Sequence, residues 1–561
     1  MPRASALAPD GSPVEGFRFD GNRVTYLGDV PIEAGIRYEL ELAGTDDPKW
    51  LVPGVFYGEN RPERCTRIYP RFTPGRVDVE RMESDRWSFR ADRCATPAVF
   101  SNGRGLATSE RSPLGQAGVG FAVRGDRPVV WLDFPYREEP LRYDGSETPA
   151  PPDVQTYCWS PGESVELDVR EAGLSALRPT EPFDDPRWVS VEEAAALAAF
   201  SLHRDHYRPD PPRLVETRSF DGADVRDAMH VSWVSGVPYA YALLRHARRV
   251  GNEEYEAAAV AVLDHVARNL TPGGTFWSQW THDRGWTWGW HPDHSRLHAR
   301  TLADATLFAR RASGLCVSET QGRLGEAVRS NLDAVLRTQR DDGALPAAHH
   351  VETGDAVSWE GTAGMAWIPA LVESGHLEEA RAAGGYYARF DTWHGAPEDV
   401  DLAPSSEDGS AAVMAFVALE DWETARRAAD WMLTFRYSYD VDFEPGTELG
   451  RLGFRTRGGD QASPANQHLH SFGLVCLPEM IRLARATGER WYEQTTRENL
   501  ACFRQLVARH DGDFGARRGM TTERYYQTDV FAPKGGLLPL AHAWTTGVLL
   551  YGCEAALELG L

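Results

Sequence analysis

Ala411-Ala412-Val413-Met414-Ala415-Phe416-Val417-Ala418-Leu419 is apolar on every side, and Trp422 to Leu433 follows it closely with a single stripe of Trp422, Ala425, Ala429, Met432 and Leu433. A helix that is apolar nearly all round has to be enclosed by other elements, whereas a striped one covers a neighbour on one side only. The first segment therefore reads as an inner helix and the second as an outer one. Pro238 to Leu244, Gly361 to Val372 and Leu537 to Leu550 are of the inner kind. The stripes Leu324, Ala327, Val328, Leu332, Val335 and Tyr492, Thr495, Asn499, Cys502, Phe503, Leu506 are of the outer kind. Links from an inner helix to the next outer one are short, as in Val250-Gly251-Asn252-Glu253 and Ala486-Thr487-Gly488-Glu489, while the return links are long. About twelve such segments arranged as six pairs predict an (α/α)6 toroid with its long loops gathered on one face.

Upstream the period is two. From about Val24 to Val169 short β-rich pieces such as Val129-Val130-Trp131-Leu132 and Ser164-Val165-Glu166-Leu167-Asp168-Val169 are separated by Gly, Pro and Asp clusters, the pattern of hairpins and sandwich strands. The expected organisation is multidomain β plus all-α: a β-sandwich over 1–175, a Pro-, Arg- and Asp-rich linker over 176–190, and a catalytic toroid over 191–561. A chain of 561 residues with 42% hydrophobic and 11% aromatic residues has material for two packed cores. A net charge of -23 argues against nucleic acid as a partner, since that binding needs a basic surface. No apolar stretch approaches bilayer-spanning length, and Met1 to Pro13 lacks the regions of a signal peptide, so no membrane partner and a cytoplasmic location are expected. The seven cysteines are scattered and form no Cys-x-x-Cys pair, which suits reduced thiols.

The long loops carry the candidate chemistry. Thr271 to Arg296 holds Trp286, Trp288 and Trp290 among glycines and polar residues, a platform on which sugar rings stack. Ser358-Trp359-Glu360-Gly361 stands directly before an inner helix, and Glu523 lies in Thr522-Glu523-Arg524-Tyr525-Tyr526 of the last long loop. Glycoside hydrolysis needs two facing carboxyls, one protonating the leaving oxygen and one activating water. Glu360 and Glu523 are the candidate pair, with Trp359 as an apolar wall and Tyr525 beside the substrate. They precede the third and sixth inner helices, which face each other in a ring of six, so an inverting separation of roughly 6.5–9.5 Å is expected. Glu407 and Asp408, in Pro404-Ser405-Ser406-Glu407-Asp408, are candidates for substrate hydroxyls, although Ser405 with Asp408 also matches a capping box. Arg455, Arg457, Gln467, His468 and His470 form a further polar loop whose arginines suit a sugar carboxylate or a clamp on the catalytic acids. His291, His294 and His298 lack the pattern of a zinc site, Asp440, Asp442 and Glu444 lack a complete calcium loop, and no phosphate-binding glycine motif is present. No metal and no cofactor are expected.

With Trp359-Glu360 before the third inner helix, and Glu523 followed by Gly536-Leu537-Leu538-Pro539-Leu540-Ala541-His542-Ala543-Trp544, the chain resembles bacterial glucoamylases and glucodextranases. That resemblance implies a six-hairpin glycosidase-like fold with an N-terminal β-supersandwich, a carbohydrate substrate, Glu360 as general acid and Glu523 as general base. The segment Asn466-Gln467-His468-Leu469-His470 has no counterpart in that pattern. The same architecture serves disaccharide phosphorylases. A uronate-acting lyase or epimerase is the main alternative, with His468, His470, Tyr525 and Tyr526 moving a C5 proton while Arg455 or Arg457 neutralises the carboxylate. A non-catalytic glycan-binding protein is the third reading, and it leaves so many carboxylates on one face without a role.

Overall fold

The computed structural model describes residues 2–45, 47–63, 65, 67–138, 154–179, 181–289, 293–395, 403–530 and 532–561. In the N-terminal part, one antiparallel sheet runs in the order Arg3–Leu7, Ile32–Glu41, Arg127–Phe134, Gly118–Arg124, Arg86–Arg90. A second has the order Arg170–Gly173, Arg104–Ala107, Ala98–Ser101, Trp50–Val52, Phe56–Tyr57. Alternation decides which side of a strand is covered: Ile36, Tyr38 and Leu40 are buried, while Arg37, Glu39 and Glu41 lie at or near the surface. The two sheets share one core, in which Trp50 of the second stacks on Phe121 of the first with ring centroids 4.5 Å apart.

The remainder is helical, and each helix is amphipathic or enclosed according to its place. In chain order the helices are α1 (Val191–Ser201), α2 (Val237–Val250), α3 (Glu253–Ala267), α4 (Ala299–Ser313), α5 (Ser318–Thr338), α6 (Trp367–Glu373) and α7 (Leu377–Tyr387). They continue as α8 (Ser406–Ala418), α9 (Trp422–Leu433), the short α10 (Glu448–Leu452), α11 (Leu477–Thr487), α12 (Arg490–Arg504) and α13 (Ala543–Leu559). Helix α2 packs on α4, α4 on α6, α6 on α8, α8 on α11, α11 on α13, and α13 back on α2, so the inner ring closes. Outside it, α3, α5, α7, α9, α12 and α1 pack respectively on α2, α4, α6, α8, α11 and α13. Close approach rests on small residues. A Cβ on Gly547 of α13 would stand 2.2 Å from the Tyr239 ring of α2, and one on Gly409 of α8 would stand 2.6 Å from Met432 Cβ of α9. Glycine is the residue that fits both crossings.

The two parts are joined by specific contacts. Tyr57 of the β-rich part stacks on Phe435 at 4.3 Å, and its hydroxyl oxygen accepts a hydrogen bond from Thr434 Oγ1 at 3.0 Å. Lys534 Nζ reaches Asp92 Oδ2 at 2.8 Å, and Arg93 Nε donates to Gln467 Oε1 at 3.2 Å. Among the described residues no helix is long and apolar enough to cross a membrane.

Candidate active site

Short strands precede the inner helices and aim side chains at the ring axis. Four of them end in a histidine one residue ahead of the helix or turn that follows: Ala228–His230, Arg296–His298, Asn466–His470 and Leu540–His542. In Asn466–His470 the two-residue period puts His468 and His470 on one face, their rings 5.9 Å apart. Gln467 and Leu469 are buried on the other.

The strands Asn466–His470 and Leu540–His542 border a cavity of about 270 Å³. Its polar lining is Glu407, His468, His470, Glu523, Arg524 and His542, with Arg226 and Asn466 also present. Trp233, Phe472 and Trp544 supply its apolar walls, so it joins rings to a few convergent polar groups as a sugar site requires. The site lies at the N-terminal ends of α2, α8 and α13, where the helix dipoles add positive potential.

Each carboxylate in the cavity is already tied to a cation. Glu407 is ion-paired with Arg300, a residue 2% exposed whose guanidinium lies 4.7 Å from the Trp233 ring centre and 4.5 Å from that of Phe472. Arg300 Nε also stands 3.4 Å from Asp304 Oδ2. Glu523 Oε2 lies 3.1 Å from His542 Nε2 and 3.4 Å from Arg524 Nε. Burial alone would raise the Glu523 carboxyl, but His542 and Arg524, with His468 nearby, outweigh it and hold Glu523 well below the usual carboxylate range. An ionised Glu523 can only accept, so the His542 nitrogen facing it carries the proton. The other ring nitrogen, Nδ1, faces Thr217 Oγ1 at 3.3 Å.

Burial pushes His468 far below the ordinary imidazole value, and the Arg524 charge and His470 push the same way. Burial also lowers His470, against the opposing pull of Glu407, whose Oε1 is 4.0 Å from His470 Nδ1. Ser406 Oγ is 3.0 Å from His470 Nε2. The cavity thus sets two imidazoles whose charged form burial disfavours, His468 and His470, beside a carboxylate held ionised, Glu523.

The structure brings Glu407, His468, His470 and Glu523 together and places the other candidates elsewhere. Glu360 is exposed and does not line the cavity, so the pairing of Glu360 with Glu523 across a common space is not formed. The hairpin Ala348–His350 with Ala356–Ser358 precedes it, and Ser358 Oγ accepts from its backbone N–H at 3.1 Å. Trp359 lies under Arg340, 5.7 Å from guanidinium to ring centre. Trp286 packs on His265 of α3 and Trp288 on His294, away from the cavity; Trp290 and His291 lie outside the described residues. Asp408 belongs to the cap of α8 at Ser405: its backbone N–H donates to Ser405 Oγ at 3.2 Å, and its carboxylate accepts from that hydroxyl at 2.8 Å. Tyr525 is core, stacked on Phe454 at 4.6 Å. Gln467 is likewise buried, held by Arg93.

Arg455 and Arg457 border a separate groove between the two parts of the chain. Arg455 Nη1 holds Asp184 Oδ2 at 3.0 Å, and Arg457 Nη2 holds the buried Glu498 Oε1 at 2.7 Å. They fasten the connecting segment near Glu181 and Asp184 and do not reach the cavity. The residues missed from sequence are Arg226 and Trp233, together with Arg524, His542 and Trp544, which lay in segments already singled out. The recurring apolar-His pair before an inner helix, Met229-His230, Leu297-His298, Leu469-His470 and Ala541-His542, is the signal that points to His542.

The chain matches no family model and no curated protein sequence. Among solved structures it is similar to a D-mannose isomerase, at 13% identity and a TM-score of 0.45, over 68% of this chain and 100% of that one. It is similar to a polysaccharide lyase at 10% identity and a TM-score of 0.46, over 100% of this chain and 92% of that one. A glycoside hydrolase family 76 mannosidase from Bacteroides thetaiotaomicron is similar at 10% identity and a TM-score of 0.44, over 66% of this chain and 99% of that one.

Proposed function

We propose that this chain is a carbohydrate-active enzyme that moves a proton at a sugar carbon, as an epimerase or a lyase, with the ring cavity as its active site. The observation that carries this reading is the grouping of His468, His470 and His542 in a cavity whose two carboxylates are each tied to a cation. Hydrolysis with inversion requires a carboxyl that still holds its proton near neutral pH. Glu407 faces the Arg300 guanidinium and Glu523 is held ionised, so neither suits that role. Glu523 is also occupied, since its carboxylate is held by His542 and Arg524. A neutral imidazole keeps a lone pair with which to take a proton from carbon.

In this reading His468 takes the proton from carbon and His542, as an imidazolium balanced by Glu523, donates a proton to the opposite side or to the departing oxygen and is left neutral. Arg524 and Arg226 stabilise the negative charge that develops on the sugar. Trp233 and Trp544 hold the ring faces. The division into a β-sandwich domain over 1–175 and a catalytic toroid over 191–561 belongs to the same proposal.

The test is turnover of neutral and acidic oligosaccharides in deuterium oxide, followed by NMR and ultraviolet absorbance. An epimerase incorporates deuterium at the reacting carbon, and a lyase gives an unsaturated, ultraviolet-absorbing product. A saturated, deuterium-free product of opposite anomeric configuration would overturn the reading and restore inverting hydrolysis. Glu360→Gln should retain kcat within about twofold of wild type, as expected for an exposed site away from the chemistry. A loss of about a hundredfold in that variant would return Glu360 to the catalytic pair.

A further inference from the structure

We propose that the N-terminal β-rich part completes the cavity, and that Arg67 joins Arg226 and Arg524 in a cationic rim selecting sugars that carry a carboxylate. This rests on the reading of the cavity as a sugar site and adds the substrate class to it. Arg67 belongs to the β-rich part, yet its Nη1 donates to Oδ1 of Asn466 at 2.6 Å, and Asn466 lines the cavity. The segment that presents Arg67 is anchored at both ends. Asn60 Nδ2 donates to the Pro70 carbonyl at 2.7 Å, Arg61 Nε donates to the Tyr69 carbonyl at 2.7 Å, and the fully buried Tyr69 donates its hydroxyl to the Asn60 carbonyl at 3.1 Å.

The other two guanidiniums come from separate loops of the ring. Arg226 ends the strand Asp224–Arg226, is half exposed, and reaches Glu216 Oε2 at 3.2 Å. Arg524 stays only loosely on Glu523, with contacts of 3.4 and 3.5 Å, and is one-third exposed. Arg67 and Arg524 both lie within electrostatic reach of the buried His468. Arg226 and Arg524 line the cavity and Arg67 bonds its lining residue Asn466; forked donors of this kind fit a planar carboxylate, which accepts two parallel N–H bonds from a guanidinium. A neutral sugar gives such donors only hydroxyls.

Calorimetric binding of short galacturonate and mannuronate oligomers, against neutral malto- and manno-oligomers, tests this on the whole chain. At least one uronate series should bind about tenfold or more tighter than the neutral sugars, and added salt should narrow the gap. Arg67→Gln and Arg226→Gln should each weaken uronate binding by about tenfold, the effect of one lost charge-assisted hydrogen bond, and Arg67→Gln should leave neutral binding within about twofold. Arg455→Gln, whose guanidinium holds Asp184 instead, should change neither. If Arg67→Gln does not fold by circular dichroism, Arg67→Lys, which keeps the charge and loses the fork, should still reduce uronate binding. Equal affinity for both sugar classes, no uronate binding at all, or unchanged uronate affinity in a folded Arg67 variant overturns the proposal. The two readings fail separately. Uronate binding without deuterium exchange sinks the proton-transfer reading alone, whereas exchange on neutral sugars untouched by Arg67→Gln sinks this one alone.

Discussion

Replacing Glu523 by Gln should lower kcat by at least about a hundredfold while the protein still folds. Glutamine keeps the shape, and its carbonyl can accept the hydrogen bond that His542 Nε2 gives at 3.1 Å. What it removes is the negative charge that fixes the His542 tautomer and balances an imidazolium as a proton is passed. It also removes the partner of Arg524. Stability gives an independent readout of the same charge. Because the folded-state pKa of Glu523 is depressed, its ionised form stabilises the fold above the ordinary carboxylate pKa, and that contribution is lost as pH falls toward the folded value. The Tm gap between wild type and Glu523→Gln should therefore be widest near neutral pH and shrink below about pH 4.5. A variant with near-normal kcat, or a Tm gap that does not change with acid, would show that the Glu523–His542 contact does not govern the site.

The ring was legible in the sequence because burial leaves a periodic trace. Helix α8 is apolar on all sides and α9 is striped, since one is enclosed by neighbours and the other faces solvent on one side. The face carrying the cavity was legible for a related reason: the long connections all enter the N-terminal ends of inner helices. Within those loops the reading was weaker, because residue type does not say which way a hairpin turns. Glu360 follows the strand Ala356–Ser358 and reaches solvent, whereas His468 and His470 lie in a strand whose inward face meets the axis. Arg455 and Arg457 were read as holding a sugar carboxylate or clamping the catalytic acids. Their guanidiniums instead satisfy Asp184 and Glu498, a distinction set by packing between the two parts of the chain. Arg67 was invisible for the same reason, since nothing local to its sequence announces Asn466 as a partner across 399 positions.

The pair that positions the histidine strand should also prove costly to break. Asp460 is fully buried and accepts two hydrogen bonds from Arg436, Nε at 2.7 Å and Nη2 at 2.9 Å, and a third from Asn499 Nδ2 at 2.9 Å. It opens the strand Asp460–Ser463, where it lies opposite His470 in the hairpin. Asp460→Ala leaves the Arg436 guanidinium, itself 5% exposed, without its bidentate carboxylate. An uncompensated buried charge of this kind costs about 3–5 kcal/mol. Because the chain has two structural parts and need not unfold in one step, the effect should be read from tryptophan fluorescence during urea unfolding, as a transition displaced to lower denaturant. The double variant Arg436→Met with Asp460→Leu, which removes both charges, should recover much of the loss, since an apolar pair of similar volume often replaces a buried ion pair at little cost. The activity outcomes need not follow the stability outcomes. The double variant lacks the Arg436 and Asn499 bonds that fix position 460 opposite His470, so it should recover much of the unfolding midpoint while kcat stays low. If Asp460→Ala unfolded with wild type, or if the double variant regained full turnover, the pair would be dispensable to both the hairpin and the site.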